Sequence, residues 1–330
     1  MSGGLDSGLA AKMILDQGIE LVGVKFTSPF CNCDQQGRCF AREAASQLGI
    51  RLMVVPKGEE YLDVVRHPKH GYGSGLNPCI DCRVFMLRKS WVIAEQAGAQ
   101  FIVTGEVLGQ RPMSQHRHAL GTIEREAGLD GLILRPLSAR HLPPTRAELD
   151  GLVDRDALLA FQGRSRRPQL ALAREVGLDV FACPAGGCLL TDRAFAARLR
   201  DAFERMETLT WRDVAKLKVG RHFRFGESRI VVGRNEAENR ILAATAGRAD
   251  IRFEVPDCGS PLTLLTGPAT GDAIRTAAAL TARFSDCPDP LVAVRCSSDG
   301  EEQTVEVRPL NPNTIERLRV SAEQAKKGPK

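Results

Sequence analysis

Between Glu20 and Leu137 the chain alternates short apolar runs with stretches of helical spacing, and this restricts the fold more than any other feature. Glu20–Phe26, Arg51–Val55, Gln100–Gly105 and Leu132–Leu137 have strand length. Phe40–Leu48 and Cys82–Ala97 have helical period. Strands separated by helices cannot close as tight hairpins; they pair in parallel through crossovers. The expected fold class is therefore α/β, with a parallel sheet covered on both faces. A glycine turn, Ser2-Gly3-Gly4-Leu5-Asp6-Ser7, opens an apolar-periodic run ending at Leu15 and reads as a helix N-terminus. Such a turn ordinarily follows a buried strand. Only Met1 precedes it, so the first strand is expected to be missing from this start.

The C-terminal half has another texture. Arg146–Leu178 reads as helical and arginine-rich, interrupted at 163–168. Cys183-Pro184-Ala185-Gly186-Gly187-Cys188 is a tight loop, and Asp192 is placed to cap a helix over Arg193–Met206. Arg221–Phe225 and Ser228–Val232 alternate like a hairpin. Glu236–Ala246 and Gly271–Phe284 read as helices, and Leu291–Cys296 and Thr304–Val307 as strands. The expected domains are 1–150, the parallel α/β part lacking its first strand; 151–210, a helical arginine-rich extension with the cysteine loop; 211–320, a small α/β domain; and a tail at 321–330.

A chain that is 43% hydrophobic can bury ordinary cores, which excludes wholesale disorder. No apolar run reaches the roughly 20 residues needed to span a bilayer, and Met1–Ala10 lacks the charged and apolar regions of a signal peptide. The cytoplasm is the expected location, with no membrane partner. In a reducing compartment the ten cysteines read as metal ligands or working thiols before disulfides. The net charge of +5 is compatible with a nucleic-acid partner, while 5% aromatic content argues against binding dominated by base stacking.

The glycine turn lacks the Gly-Lys-Ser/Thr ending of a Walker loop. Its chemistry still suits phosphate. Gly3 and Gly4 let the backbone approach oxygen atoms, the helix start supplies N–H groups and a favourable dipole, and the Ser2 and Ser7 hydroxyls are donors. Asp6 can position Mg²⁺ or cap the helix. An ordinary serine-capped surface turn is the alternative. The turn resembles the PP-loop of the ATP pyrophosphatases, which implies an adenine nucleotide alpha hydrolase-like fold with ATP and Mg²⁺ as ligands. After the third strand, Gly105-Glu106-Val107-Leu108-Gly109-Gln110-Arg111-Pro112-Met113-Ser114-Gln115 is similar to a stretch of the tRNA 4-thiouridine synthetases, with one extra residue before Ser114. The candidate nucleotide set is Ser2, Gly3, Gly4, Asp6, Ser7, Phe26, Gly105 and Gln110, with Ser114 and Gln115 as further hydrogen-bonding groups for ATP or a base.

Asn77-Pro78-Cys79-Ile80-Asp81-Cys82 places a C-x-x-C at a helix start, where the dipole favours thiolate. The segment resembles that of the tRNA 2-thiouridine-forming enzymes, which also carry a distant second cysteine. Cys79, Cys82, Cys183 and Cys188 are the candidate catalytic residues and the candidate metal ligands. Three readings stay open: a [4Fe–4S] centre on Cys79, Cys82 and either Cys183 or Cys188; a persulfide resolved as a disulfide; and a structural zinc site. Cys31, Cys33 and Cys39 form a third group that suits a second metal site, a sulfur relay or a plain loop. Cys258, Cys287 and Cys296 read as buried apolar residues.

Arg135, Arg140, Arg146, Arg164, Arg166 and Arg167, then Lys216, Lys218, Arg221, Arg224, Arg229 and Arg234, are candidate phosphate contacts or a solvated charged surface. His116, His118, His141 and His222 are not spaced like a metal site and are expected at the surface or facing RNA, with no catalytic role. Leu217–Phe223 and Ile230–Asn239, with Val-Gly-Arg-Asn at 232–235, resemble the RNA-binding domain of NFACT proteins. Together the resemblances imply an ATP-dependent tRNA sulfurtransferase that adenylates a uridine oxygen and takes sulfur from a donor protein or sulfide. A small-molecule PP-loop sulfur insertase or amide-forming synthetase is the alternative. A non-catalytic RNA-binding module holding zinc is a third.

Overall fold

The computed structural model describes residues 1–32, 38–181 and 187–321. The chain divides into two compact units, Met1–Thr191 and Asp192–Lys330.

In the first unit the glycine turn leads into α1 (Leu5–Leu15), followed by β1 (Val22–Thr27), α2 (Phe40–Gln47) and β2 (Arg51–Pro56). β1 and β2 pair in parallel from Val22 opposite Arg51 to Thr27 opposite Pro56. After α3 (Tyr61–Arg66) and α4 (Cys79–Gln96) come β3 (Ile102–Val103), α5 (Arg117–Ala127) and β4 (Ile133–Leu134), with β3 and β4 again parallel. The two parallel pairs are not hydrogen-bonded to each other among the described strands. The Met1 amino group donates to the Val24 carbonyl, so the residue before the turn runs beside β1.

The region expected to be helical from Arg146 to Leu178 forms only α6 (Arg146–Leu149), a 3₁₀ turn and α7 (Arg167–Glu175). Its other apolar residues serve packing. Val153 and Leu158 join Ile14 and Leu134 in one core, while Ala173 and Leu178 meet Leu5, Leu9 and Val107 in another. α1 is thus gripped on two sides, which fixes the direction of its N-terminus. A third core of Val84, Leu87, Ile123, Leu129 and Ile133 seats α4 on α5 and β4.

The second unit starts with α8 (Arg193–Arg205), capped by Asp192 Oδ1 accepting from the Phe195 N–H at 2.7 Å. α9 (Trp211–Lys218) follows with a Thr210/Asp213 capping box. The expected hairpin is present as β5 (Arg221–Phe225) and β6 (Ser228–Val232). Then come α10 (Glu236–Thr245), β7 (Ile251–Glu254), β8 (Thr263–Thr266), α11 (Gly271–Arg283), β9 (Val292–Ser298), β10 (Glu301–Val307) and α12 (Pro312–Leu318). The sheet is antiparallel with strand order β10-β9-β7-β8-β6-β5. Period-two alternation serves both of its faces. Ile230 and Val232 pack with Ala277 and Leu280 of α11, while Val231 between them packs with Leu242 of α10. Asp299 and Gly300, at φ 47° and 89°, make the tight turn joining β9 to β10. Among the described residues no helix is long and apolar enough to cross a membrane.

Candidate functional site

Gly4 caps α1 with extended backbone and no side-chain cap; the Ser7 N–H donates to the Gly4 carbonyl at 3.1 Å, which leaves the Leu5 and Asp6 N–H groups without intrahelical acceptors. The turn is braced from within. Ser7 Oγ donates to the Gly4 carbonyl at 2.8 Å, Ser2 Oγ lies 3.1 Å from Ser7 Oγ, and the Gly4 N–H donates to Ser2 Oγ at 3.2 Å. Gly3 has φ 73°, and a Cβ there would meet the Ala41 nitrogen at 2.5 Å, so only glycine fits. Gly105, just past β3, lies against the backbone of Asp6 and Ser7. The segment after the third strand therefore closes directly onto the glycine turn.

Asp6 is where these segments meet. Its Oδ2 accepts from Gln110 Nε2 at 3.1 Å and from Arg166 Nη2 at 3.3 Å. Asp6 Oδ1, Gln110 Oε1 and Arg166 Nε are buried atoms with no hydrogen-bond partner among the described residues. Orphaned polar atoms on three residues that already touch, beside a helix N-terminus, fit a polar anionic ligand with a cation. ATP and Mg²⁺ are such a pair. Phe26 is half-buried near the end of β1. Ser114 and Gln115 are buried within the loop after β3.

Beneath that loop Glu106 takes Arg135 at 3.0 Å and Arg83 at 3.4 Å, and Arg135 also pairs with Glu124. Burial pushes the Glu106 carboxyl upward, but Arg83 and Arg135 overcome this and hold it below the usual range. Arg135 is buried in this network and is not a phosphate contact. Arg166 belongs to Asp6, whereas Arg146, Arg164 and Arg167 are exposed.

α4 begins at Cys79, and the Cys82 N–H donates to the Pro78 carbonyl at 2.8 Å. The helix start was expected to favour the Cys79 thiolate. Burial instead pushes this thiol up, and Cys82 adds to the effect; Arg83 and Arg111 oppose it without winning. Arg111 is open to solvent but hemmed in by protein. Partial desolvation first, and Arg83 next, push it below its ordinary value, while Cys79, Asp6 and Glu106 pull the other way. It thus lies in the fields of both the glycine turn and the first thiol. Lys57 Nζ donates to Cys82 Sγ at 3.2 Å and stands 4.0 Å from the Tyr61 ring centroid. The buried Tyr61 phenol is pushed well up by burial first, then by Cys82, Cys188 and Cys31. Burial also raises Cys188, to about 11.

Cys31 and Cys188 face each other in an antiparallel bridge. Cys39 instead accepts from Lys25 Nζ at 3.1 Å at the start of α2. Cys33 and Cys183 lie outside the described residues. Among the described residues no three Cys, His, Asp or Glu side chains gather as a metal-binding set. The sequence reading did not single out Lys57, Tyr61, Arg83 or Arg111. Each is brought in by a different element, and no local pattern marks it.

Residues 1–141 match the family model described as thiamine biosynthesis protein (ThiI), and residues 220–319 match the NFACT protein RNA binding domain. The N-terminal part of the chain is thus similar to ThiI-type domains and the C-terminal part to NFACT-type RNA-binding domains. Similar curated proteins include the tRNA-specific 2-thiouridylase MnmA of Xanthobacter autotrophicus, 28% identical over 54% of this chain and 46% of that protein. Those of Syntrophotalea carbinolica and Dichelobacter nodosus are 37% identical over 32% of each chain, and 27% identical over 61% of this chain and 53% of that protein. The chain spans about half the length, or less, of these relatives. The C-terminal part of the fibronectin/fibrinogen-binding protein of Streptococcus suis aligns at 13% identity and a TM-score of 0.29, covering 73% of this chain and 94% of that one, too loosely to bear on the fold.

Within the unit carrying the NFACT-type domain, several expected phosphate contacts are structural. Lys216 is buried on Asp250 at 2.6 Å, and Arg224 and Arg229 both pair with Asp201. Arg234 pairs with Glu238. Lys218 is exposed, and Arg221 lies over the Phe284 ring while donating to the Gly233 carbonyl. His222 is buried rather than superficial, with Nε2 donating to the Val219 carbonyl at 2.8 Å. His116 caps α5, and His141 Nε2 lies 2.8 Å from the Ala160 carbonyl. Cys296 is buried as expected, whereas Cys258 and Cys287 are only half-buried.

Proposed function

We propose that this chain is an ATP-dependent tRNA sulfurtransferase, which adenylates a uridine carbonyl oxygen and replaces it with sulfur carried on its thiols. The α1 N-terminus and the braced turn would hold the phosphates. Asp6, steadied by Gln110 and Arg166, would hold Mg²⁺, which supplies charge neutralisation at the phosphates. The uridine oxygen attacks the α-phosphate and pyrophosphate leaves. The oxygen then departs as part of AMP when sulfur attacks the same carbon. Exposed arginines and Lys218 would contribute RNA phosphate contacts without reading sequence.

The observation that carries this reading is the convergence on Asp6 of the glycine turn, the loop after β3 and Arg166, with Arg111 in the fields of both Asp6 and Cys79. It supports a nucleotide site and working thiols side by side. No set of three metal-binding side chains gathers among the described residues, and Cys183, one of the candidate cluster or zinc ligands, lies outside them. A donor protein bearing a persulfide would recharge the thiols by passing on its outer sulfur, its own cysteine leaving as the thiol.

The test incubates the full chain with ATP, Mg²⁺, a persulfide donor and unmodified tRNA, followed by nucleoside mass spectrometry. A thiouridine that disappears in Cys79→Ser and Cys82→Ser is the expected result. Pyrophosphate exchange that proceeds without RNA and yields no thionucleoside overturns it in favour of small-molecule chemistry.

A further inference from the structure

We propose that Cys31 and Cys188 are a resolving pair: sulfur held as a persulfide on one is discharged by the thiol of the other, leaving a disulfide between them. The proposal rests on the thiolation reading for the use of the sulfur, not for the pairing. Cys31 lies after β1 and Cys188 in the loop after α7, far apart in sequence, yet they are direct partners in an antiparallel bridge. The Leu189 N–H donates to the Phe30 carbonyl at 2.8 Å. That bond flanks the pair, so Cys31 and Cys188 occupy a non-hydrogen-bonded position, the closer of the two kinds of antiparallel pair. Such a position sets Cα atoms about 4.5 Å apart with both side chains on one face. A disulfide spans Cα separations of roughly 4.4–6.8 Å.

The backbone around Cys188 is fixed, with the Leu76 N–H donating to the Leu190 carbonyl at 2.9 Å and Thr191 Oγ1 donating to the Cys188 carbonyl at 2.7 Å. Both thiols are half-buried, and Ser28 Oγ stands 3.3 Å from Cys31 Sγ. Tyr61 lies in the fields of Cys31, Cys82 and Cys188 together, which puts the pair in the same neighbourhood as the second thiol of the C-x-x-C.

The step balances internally. The attacking thiolate bonds to the inner sulfur of the persulfide, and the inner–outer S–S bond breaks. The outer sulfur leaves as hydrosulfide, taking up the proton that the attacking thiol gave up. The outer sulfur is reduced and the attacking cysteine sulfur is oxidised to the disulfide level. An external dithiol then reduces the disulfide and resets the pair.

The reduced full-length chain is treated with inorganic tetrasulfide or with diamide, without ATP or RNA, then alkylated and analysed by non-reducing peptide mass spectrometry. A Cys31–Cys188 cross-linked peptide is expected with both reagents. Cys31→Ser is expected to lose it and to retain the extra sulfur on Cys188 after tetrasulfide. Circular dichroism of that variant establishes that it is folded, and the diamide arm on the unmutated chain stands whether or not it is. Cys188 joined to Cys79, Cys82 or another cysteine, with Cys31 alkylated, overturns the pairing. Because neither nucleotide nor RNA is present, failure of the thiolation reading leaves this result interpretable.

Discussion

A Cβ placed on Gly105 would lie 2.4 Å from the carbonyl carbon of Asp6 and 2.5 Å from the nitrogen of Ser7. The end of β3 and the start of α1 are therefore in backbone contact, and a side chain at Gly105 must push the glycine turn away. Gly105→Ala is expected to cost about 1–3 kcal/mol by overpacking. ATP-dependent pyrophosphate release should fall by about 10²-fold, as a displacement of about 1 Å can do. A urea titration and a pyrophosphate assay check both. Unchanged turnover means the turn does not hold the nucleotide.

Asp6 collects Gln110 and Arg166 on one oxygen and leaves the other orphaned. Asp6→Asn keeps the shape and removes the charge. Activity should drop by roughly 10²–10³-fold, the scale of losing one preorganised electrostatic contact. Arg166→Ala removes one of the two donors to Asp6 Oδ2 in a mostly buried pair and should cost about 1–3 kcal/mol of stability. The Mg²⁺ dependence of pyrophosphate release separates the two variants: its midpoint rises in Asp6→Asn.

Lys216 and Asp250 form a buried pair, and Asp250 also accepts from Thr266 Oγ1 and the Gly247 N–H, each at 2.7 Å. Lys216→Ala strands a buried carboxylate and should cost about 3–5 kcal/mol. Lys218→Ala, at an exposed position two residues on, should leave stability unchanged within about 0.5 kcal/mol and weaken RNA binding with a shallower salt slope. Denaturation curves and filter binding at two salt concentrations distinguish the two lysines.

His222 is pushed well below its ordinary value, by burial first and then by Arg198 and Arg229. Its Nδ1 is buried without a partner. The unfolded imidazole takes up a proton near pH 6.5 while the folded one does not. Its contribution is therefore intact above that pH and is lost as pH falls below it, at about 1.4 kcal/mol per pH unit. Urea midpoints between pH 7.5 and 5.5 should show the fall, and His222→Gln should flatten it.

Where local rules govern, the sequence was readable. The β5–β6 hairpin, the Asp192 cap and the α/β alternation each depend on residues close together in the chain. The arginine-rich stretch misled because its leucines and alanines follow helical spacing but are claimed by the cores around α1. Burial changed the meaning of single residues in the same way. Arg135, Lys216 and His222 look like surface groups in one dimension and are buried in three.

The amino-acid order alone determined the glycine- and hydroxyl-rich chemistry of the opening turn and the presence of paired thiols, since both depend on glycines, hydroxyls and sulfurs at short spacings. Which thiols face each other, and which arginine steadies Asp6, was decided only by the fold. Cys31 meets Cys188, and Arg166 meets Asp6, across chain separations that no periodicity encodes. Long-range packing brings them together after local structure has formed.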